Sequence, residues 1–453
     1  IMTDSENRVW AISNWGTPAV WRFDRVCNQF IPVRLIGAKA ADYRALTMSE
    51  DSEGNIWLGT WEHGLMRIDS NGSTETWMPS GMGSAAHIHS ITEYAPHMLL
   101  IGSDDGLVLF NTITRHAVTY KEDETNPMSI SNRFVYPVVK DREGGVWIGT
   151  FYGGVNYIAP NAGRFAGYAI SKLHNSVNGN VINRFCEDGD GNIWIASDDG
   201  GLNCLSAATG RFTNYMPHGN RNSLSYHNVH ALCMDGTDLW IGTYTGGINV
   251  MNTRTGRFRY YNYDEGNVRT PDGTSCYAIF RDRHAQIWAT SMDGVNRYDR
   301  KKDDFVRVKK LNAMTIDIDQ DERGYIWFAT QGNGLFRYDT ARNMWRHYKH
   351  GSGTNTIQND QVNCVSIDAN GQMWVATMGG LCRYDRRHDC FTRVNIDIPN
   401  HNINCIIEDD HALWLTTNNG LVRYAPGEPC RVYTKRDGLQ NDQFLPNAGI
   451  KAS

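Results

Sequence analysis

The stretch Asp188-Gly189-Asp190-Gly191-Asn192-Ile193-Trp194-Ile195-Ala196-Ser197, followed at once by Asp198-Asp199-Gly200-Gly201-Leu202, is a unit that the chain repeats along its length. A turn of Asp and Gly, a short apolar run with a tryptophan, a Gly-rich second turn and a new apolar run describe two antiparallel strands of a meander. The tryptophan slot is filled by Trp10, Trp57, Leu100, Trp147, Trp194, Trp240, Trp288, Trp327, Trp374 and Trp414, ten copies in all. A period of roughly 40 to 48 residues accommodates four short strands with their turns, which is one propeller blade. The expected fold class is all-β: tandem β-propellers built of four-stranded antiparallel blades.

Within each copy the strands are lettered A to D, innermost first. An apolar segment such as Phe134-Val135-Tyr136-Pro137-Val138-Val139 is A, the Trp strand is B, a Gly-Leu-x-Arg-Tyr-Asp strand is C, and a Phe-x-x-Tyr strand is D. The third copy, around Leu99-Leu100-Ile101-Gly102-Ser103, has lost the Asp-x-x-Gly turn and the tryptophan but keeps Asp105-Gly106-Leu107, so it reads as a degenerate blade. The fourth departs at Val155-Asn156-Tyr157-Ile158-Ala159-Pro160, where the proline suits an edge strand or an exit from a sheet. Asn-rich connections such as Asn222-Ser223-Leu224-Ser225-Tyr226-His227-Asn228 join D of one blade to A of the next, and no helix-period stretch of useful length appears.

At 453 residues the chain exceeds the size at which a single core stops growing, a limit that propellers avoid by adding blades with small cores of their own. A net charge of -5 with no long basic run offers no electrostatic footprint for nucleic acid or an anionic membrane. No apolar run approaches the ~20 residues of a transmembrane helix, and Ile1-Met2-Thr3-Asp4-Ser5-Glu6 is no signal peptide. Because the chain opens inside a repeat and stops abruptly at Ile450-Lys451-Ala452-Ser453, it is expected to be a segment of something longer. Ten cysteines without a C-x-x-C pair read as buried thiols. Cys186 shares one slot with Cys233, and Cys364 shares another with Cys405; Cys382 and Cys390 are the pair to inspect for a disulfide.

The Asp-x-x-Gly-x-Ile-Trp-x-Gly-Thr, Gly-Gly-Leu-x-Arg-Tyr-Asp, Phe-x-x-Tyr and Asn-Ser-Leu-Ser-x-Asn pieces resemble the regulator-propeller repeats in the periplasmic sensor region of Bacteroides-type hybrid two-component systems. The segment Asp437-Gly438-Leu439-Gln440-Asn441-Asp442-Gln443-Phe444-Leu445-Pro446-Asn447-Ala448 is similar to the stretch that leads into the last blade of the second propeller in that family. The resemblance implies a periplasmic sensor of two seven-bladed rings, followed in the parent by a Tyr-rich β-sandwich, a membrane span, a histidine kinase, a receiver and a DNA-binding domain. In that register residues 1–170 are the last blades of a first propeller, and 171–453 a second lacking its final blade. A single ten-bladed ring is the alternative arrangement. The implied ligand is an oligosaccharide or another small molecule, with no cofactor, and the signalling form a homodimer of a membrane-anchored parent.

Several residue sets invite a chemical reading. The turn aspartates Asp51, Asp141, Asp188, Asp282, Asp321 and Asp368 are expected to cap the tight A-to-B turn. A sialidase-type box has Asp-x-Gly, whereas this chain mostly has Asp-x-x-Gly. The tryptophans read as plates packing one blade on its neighbour. Recognition is assigned to the unlike B-to-C loops, which emerge with the D-to-A connections on one face. The candidates there are Trp61, His63, Phe151, Tyr152, Asp198, Asp199, Tyr244, Asp293, Asn333 and Asn418, aromatic faces and polar groups of the kind that hold a sugar. His87 with His89, and His227 with His230, have no third ligand at an obvious spacing, so no metal is expected. The rival readings are a propeller enzyme like the streptogramin lyases, which use a histidine base and Mg²⁺, and an interaction scaffold.

Overall fold

The computed structural model describes residues 1–13, 20–33, 35, 44–61, 63–69, 72–79, 87–123, 129–158, 160, 165, 167–168, 175–292, 294–353, 355–409 and 412–452. Ten antiparallel sheets follow one another in chain order, nine with four strands and one, Val135–Lys140, Val146–Thr150 and Val155–Ile158, with three among the described residues. Each sheet is a meander, so every blade is a contiguous run of chain. The degenerate third copy is a complete blade, Ile88–Ala95, Met98–Ser103, Gly106–Asn111 and Ala117–Tyr120. One 3-10 turn, Lys435–Asp437, is the helical element among the described residues, and no helix is long and apolar enough to cross a membrane.

The chain divides into two compact units, 1–164 with blades 1 to 4 and 165–453 with blades 5 to 10. In both, the turn aspartate and the tryptophan six residues later act as one device. Asp188 Oδ1 accepts the N–H groups of Asp190 and Asn192, and its Oδ2 accepts the Trp194 indole N–H at 2.8 Å. The indole then packs against the following blade: Trp10 with Ala45 and Ile56, Trp57 with Ile88 and Leu99, and Trp288 with Ile318 and Ile326. Most of these indoles are buried, but Trp147 is 49% exposed and Trp414 only partly buried. Each belongs to the last blade of its unit, where no later blade of that unit covers it.

All ten cysteines are free thiols. Cys382 and Cys390, the pair to inspect, are out of register for a disulfide, because Cys382 stands opposite Arg393 and Cys390 opposite Asp385. Burial pushes the thiols of Cys233 and Cys276 up to about 12.

In the second unit the chain after blade 10 returns to the axis. Gly420 donates its N–H to the Asp442 carbonyl, as Gly201 does to His227 and Gly334 to Asp360 in earlier blades. Asn404 Nδ2 donates to the Phe444 carbonyl, as Asn363 does to Ile403. Phe444 therefore holds the place that the first residue of an inner strand holds elsewhere. Three residues on, Asn447 donates from Nδ2 to the Asp317 carboxylate of blade 8, which also accepts the Val365 N–H at 2.9 Å and faces the Arg184 guanidinium of blade 5 at 3.4 Å. Burial holds Asp317 above the usual carboxylate range, with the Arg184 charge opposing that shift.

Candidate functional site

One backbone irregularity positions the candidate site. In eight blades the pairing of strand A with strand B slips near its start: between Ala45 and Thr47, at His89, after Val135, and at Asn183, His230, Ile316, Asn363 and Asn404. A bulge leaves a residue outside the ladder and re-aims its side chain. Most of the residues it frees are polar or aromatic: His89, Tyr136, Asn183, His230, Asn363 and Asn404. The residue just after strand B is tied to the same place, since Trp61, Phe151, Asp198, Tyr244 and Met378 donate their N–H groups to Arg44, Phe134, Val181, Asn228 and Gln361. The B-to-C and D-to-A connections thus share one face in each unit.

In the first unit this face carries an aromatic shelf. Trp61 stacks on His87 at 3.8 Å and Tyr136 on His89 at 4.0 Å, while Phe151 lies 5.4 Å from Tyr136 and 4.5 Å from Tyr152. Phe151 and Tyr152 are exposed, and so is His63, which donates its backbone N–H to Thr60 Oγ1. Asp104 joins the cluster from blade 3, where the Asp105-Gly106-Leu107 remnant marked the slot.

In the second unit the funnel opens into a hollow of about 840 Å³. Its wall includes Asn180, Gln331, Gln361, Asn363, Asn402, Asn404, Asn418, Gln440, Asn441 and Gln443, with Phe185 and Phe444, and no charged residue among the described residues. The amides form a chain: Asn363 donates to Asn402 and Asn404, and Asn404 donates to Asn418. Gln361 Oε1 is buried without a hydrogen-bond partner among the described residues. A buried acceptor of this kind calls for a donor.

The other candidates sort by their partners. Asn418 lines the hollow. Asp198 accepts from Asn183 Nδ2 at 3.2 Å and stands 3.7 Å from His230, whose pKa burial lowers against the pull of Asp198; Tyr244 lies near the same ring. Asp199 accepts from the Asn180 N–H and Ser197 Oγ, and Asn333 donates to the Leu311 carbonyl, so both serve loop architecture. Asp293 lies outside the described residues. Sequence reasoning singled out His89 and His230 but missed the bulge residues Tyr136, Asn183, Asn363 and Asn404 and the amides of 440–443, although the recurrence of Asn at Asn183, Asn363 and Asn404 was a readable signal.

A family model for the two-component regulator propeller matches residues 41–62, 176–199 and 356–379. Histidine kinase P4 from Formosa agariphila is 23% identical over 31% of this chain and 14% of that protein. The extracellular domain of BT3049 from B. thetaiotaomicron, assigned to the hybrid two-component systems, aligns over 99% of this chain and 64% of its own at 21% identity, with a TM-score of 0.63. The extracellular domain of BT4673 from the same bacterium aligns over 96% of this chain and 60% of its own, at 21% identity and a TM-score of 0.53. The chain spans less than two thirds of the length of each of these relatives. The structural likeness establishes the propeller fold.

Proposed function

We infer that this chain, whose repeats are those of the two-component regulator propeller, is a ligand-sensing segment held outside the cytoplasm, and that its ligand is a neutral, hydroxyl-rich molecule of the oligosaccharide class. The observation that carries the ligand class is the wall of ten carboxamides around the hollow of the second unit, with no charged group among the described residues that line it. Amides offer both donors and acceptors to hydroxyls, whereas they neither give nor take protons near neutral pH. A wall of that chemistry suits recognition better than acid or base catalysis. The relatives' names support a signalling role, with a histidine kinase in the parent as the output. Such a ligand acts through its difference in affinity between two arrangements of the segment, and a nearly complete switch needs about 5.5 kcal/mol of that difference.

The test is a thermal-shift screen against neutral and anionic oligosaccharides of differing linkage, followed by titration of the best binder. A neutral glycan should raise the melting temperature with occupancy. Asn404→Ala and Asn418→Ala should each weaken it about tenfold, the worth of one hydrogen bond. A preference for sulfated or uronic glycans, or binding indifferent to both substitutions, would refute this ligand class.

A further inference from the structure

Blade 3 assembles a different chemistry at its bulge. His87 and His89 stand two residues apart at the head of its inner strand, and Asp104, from the loop after strand B, comes between them. His87 Nδ1 lies 2.7 Å from one carboxylate oxygen and His89 Nε2 lies 2.7 Å from the other. The three potential ligand atoms all fall within 4.8 Å of one another. All three side chains are partly buried, which leaves a path from solvent. Trp61 on His87 and Tyr136 on His89 hold the two rings in orientation from either side.

We propose that His87 Nδ1, His89 Nε2 and Asp104 bind one divalent transition-metal ion, zinc first, with a coordination position left open on the aromatic shelf. Two imidazoles and one carboxylate suit borderline ions of the zinc type, whereas magnesium and calcium favour all-oxygen sets. Three protein ligands are one short of a closed structural site, and the vacancy takes water or an oxygen of a bound molecule. Metal entry requires that the imidazole nitrogens give up any proton shared with Asp104, and that the three groups settle about 2.0–2.2 Å from the ion. The ion would give the shelf of Tyr136, Phe151 and Tyr152 a Lewis-acidic anchor. This site lies in the first unit, and its existence does not depend on the amide-lined hollow.

The experiment uses the whole chain, stripped with a chelator and dialysed. Zinc chloride is titrated by calorimetry, with magnesium and calcium chlorides as separate arms, and cobalt(II) is added to the unsubstituted protein to read its visible spectrum. One zinc per chain is expected, with no response to magnesium or calcium, and cobalt should give the strong visible bands of a low-coordinate site. His89→Gln and Asp104→Asn should each weaken zinc binding by more than the 10–100-fold that loss of an outer partner costs. His401→Gln, at an exposed histidine of the second unit, should leave it unchanged. Absence of 1:1 zinc uptake, weak octahedral cobalt bands, or uptake indifferent to His89→Gln and Asp104→Asn would overturn the proposal, leaving Asp104 as a clamp between two rings.

Discussion

Asp321 Oδ2 accepts the indole N–H of Trp327 at 3.0 Å, while the other oxygen of the same carboxylate accepts the N–H groups of Arg323 and Tyr325, also at 3.0 Å. One buried side chain therefore closes the A-to-B turn and fixes the plate that packs against blade 9. The recurrence of both residues at a spacing of six follows from this shared bond. Blade 6 shows the device incomplete. Its Asp235-Gly236-Thr237-Asp238 turn places Asp235 five residues before Trp240, and Trp240 Nε1 is buried with no hydrogen-bond partner among the described residues.

The first prediction compares those two indoles. Trp327→Phe strips Asp321 of a donor and should destabilise the second unit by about 1–3 kcal/mol more than Trp240→Phe, which removes an N–H that was already unsatisfied. Urea unfolding followed by fluorescence of the remaining tryptophans measures the difference, and equal costs would remove the hydrogen bond from the explanation.

Packing gives a second contrast. Trp57 is fully buried against blade 3, so Trp57→Ala should cost ~3–5 kcal/mol. Trp147→Ala, at a half-exposed indole, should cost less than half of that. Thermal unfolding of the two variants decides the matter.

Asp319 predicts a pH effect of definite sign. Burial raises its carboxyl to about 7, against an ordinary value near 4 in the unfolded chain. A raised folded-state value means that its contribution to stability is present below pH ~4 and lost as the pH rises through ~7. Asp319→Asn should therefore raise the melting temperature relative to the parent at pH 8, with a smaller gain at pH 5. Asp188 runs the other way. Burial opposes its ionisation, but hydrogen bonds from Asn192 and Trp194 outweigh that and hold its pKa low, so its contribution is present above pH ~4 and falls away in more acidic solution.

Thiol chemistry offers a fourth check. Cys27 is exposed, whereas Cys276 and Cys364 are buried, so a thiol reagent should label Cys27 first in the native protein. All ten thiols should react once the chain is unfolded, with no loss of label when reductant is omitted. A deficit of two would signify a disulfide.

The period of the Trp slot was enough to fix the blade, its four strands and the count of ten, because the geometry of a tight turn and of an indole plate is local and must be written into every copy. The loss of both signals in blade 3 did not break the array, since Leu99, Ile101 and Phe110 still supply the apolar faces that its neighbours need. The B-to-C loops were legible as a set. Their members were not legible as a site, because a side chain at a fixed slot turns toward the hollow, as Asn418 does, or onto the backbone of the neighbouring D-to-A connection, as Asp199 and Asn333 do, according to which partner is nearest.

What the linear order of residues determined by itself was the repeated unit, whose hydrogen bonds close within a few residues of one another. What only the tertiary structure decided was which distant groups meet on an axis or a rim: Asn447 with Asp317, Asn404 with Phe444, and Asp104 between His87 and His89. Those meetings depend on how successive blades rotate about a centre and on where each inner strand bulges. Both are set by packing between sheets, which no single stretch of sequence contains.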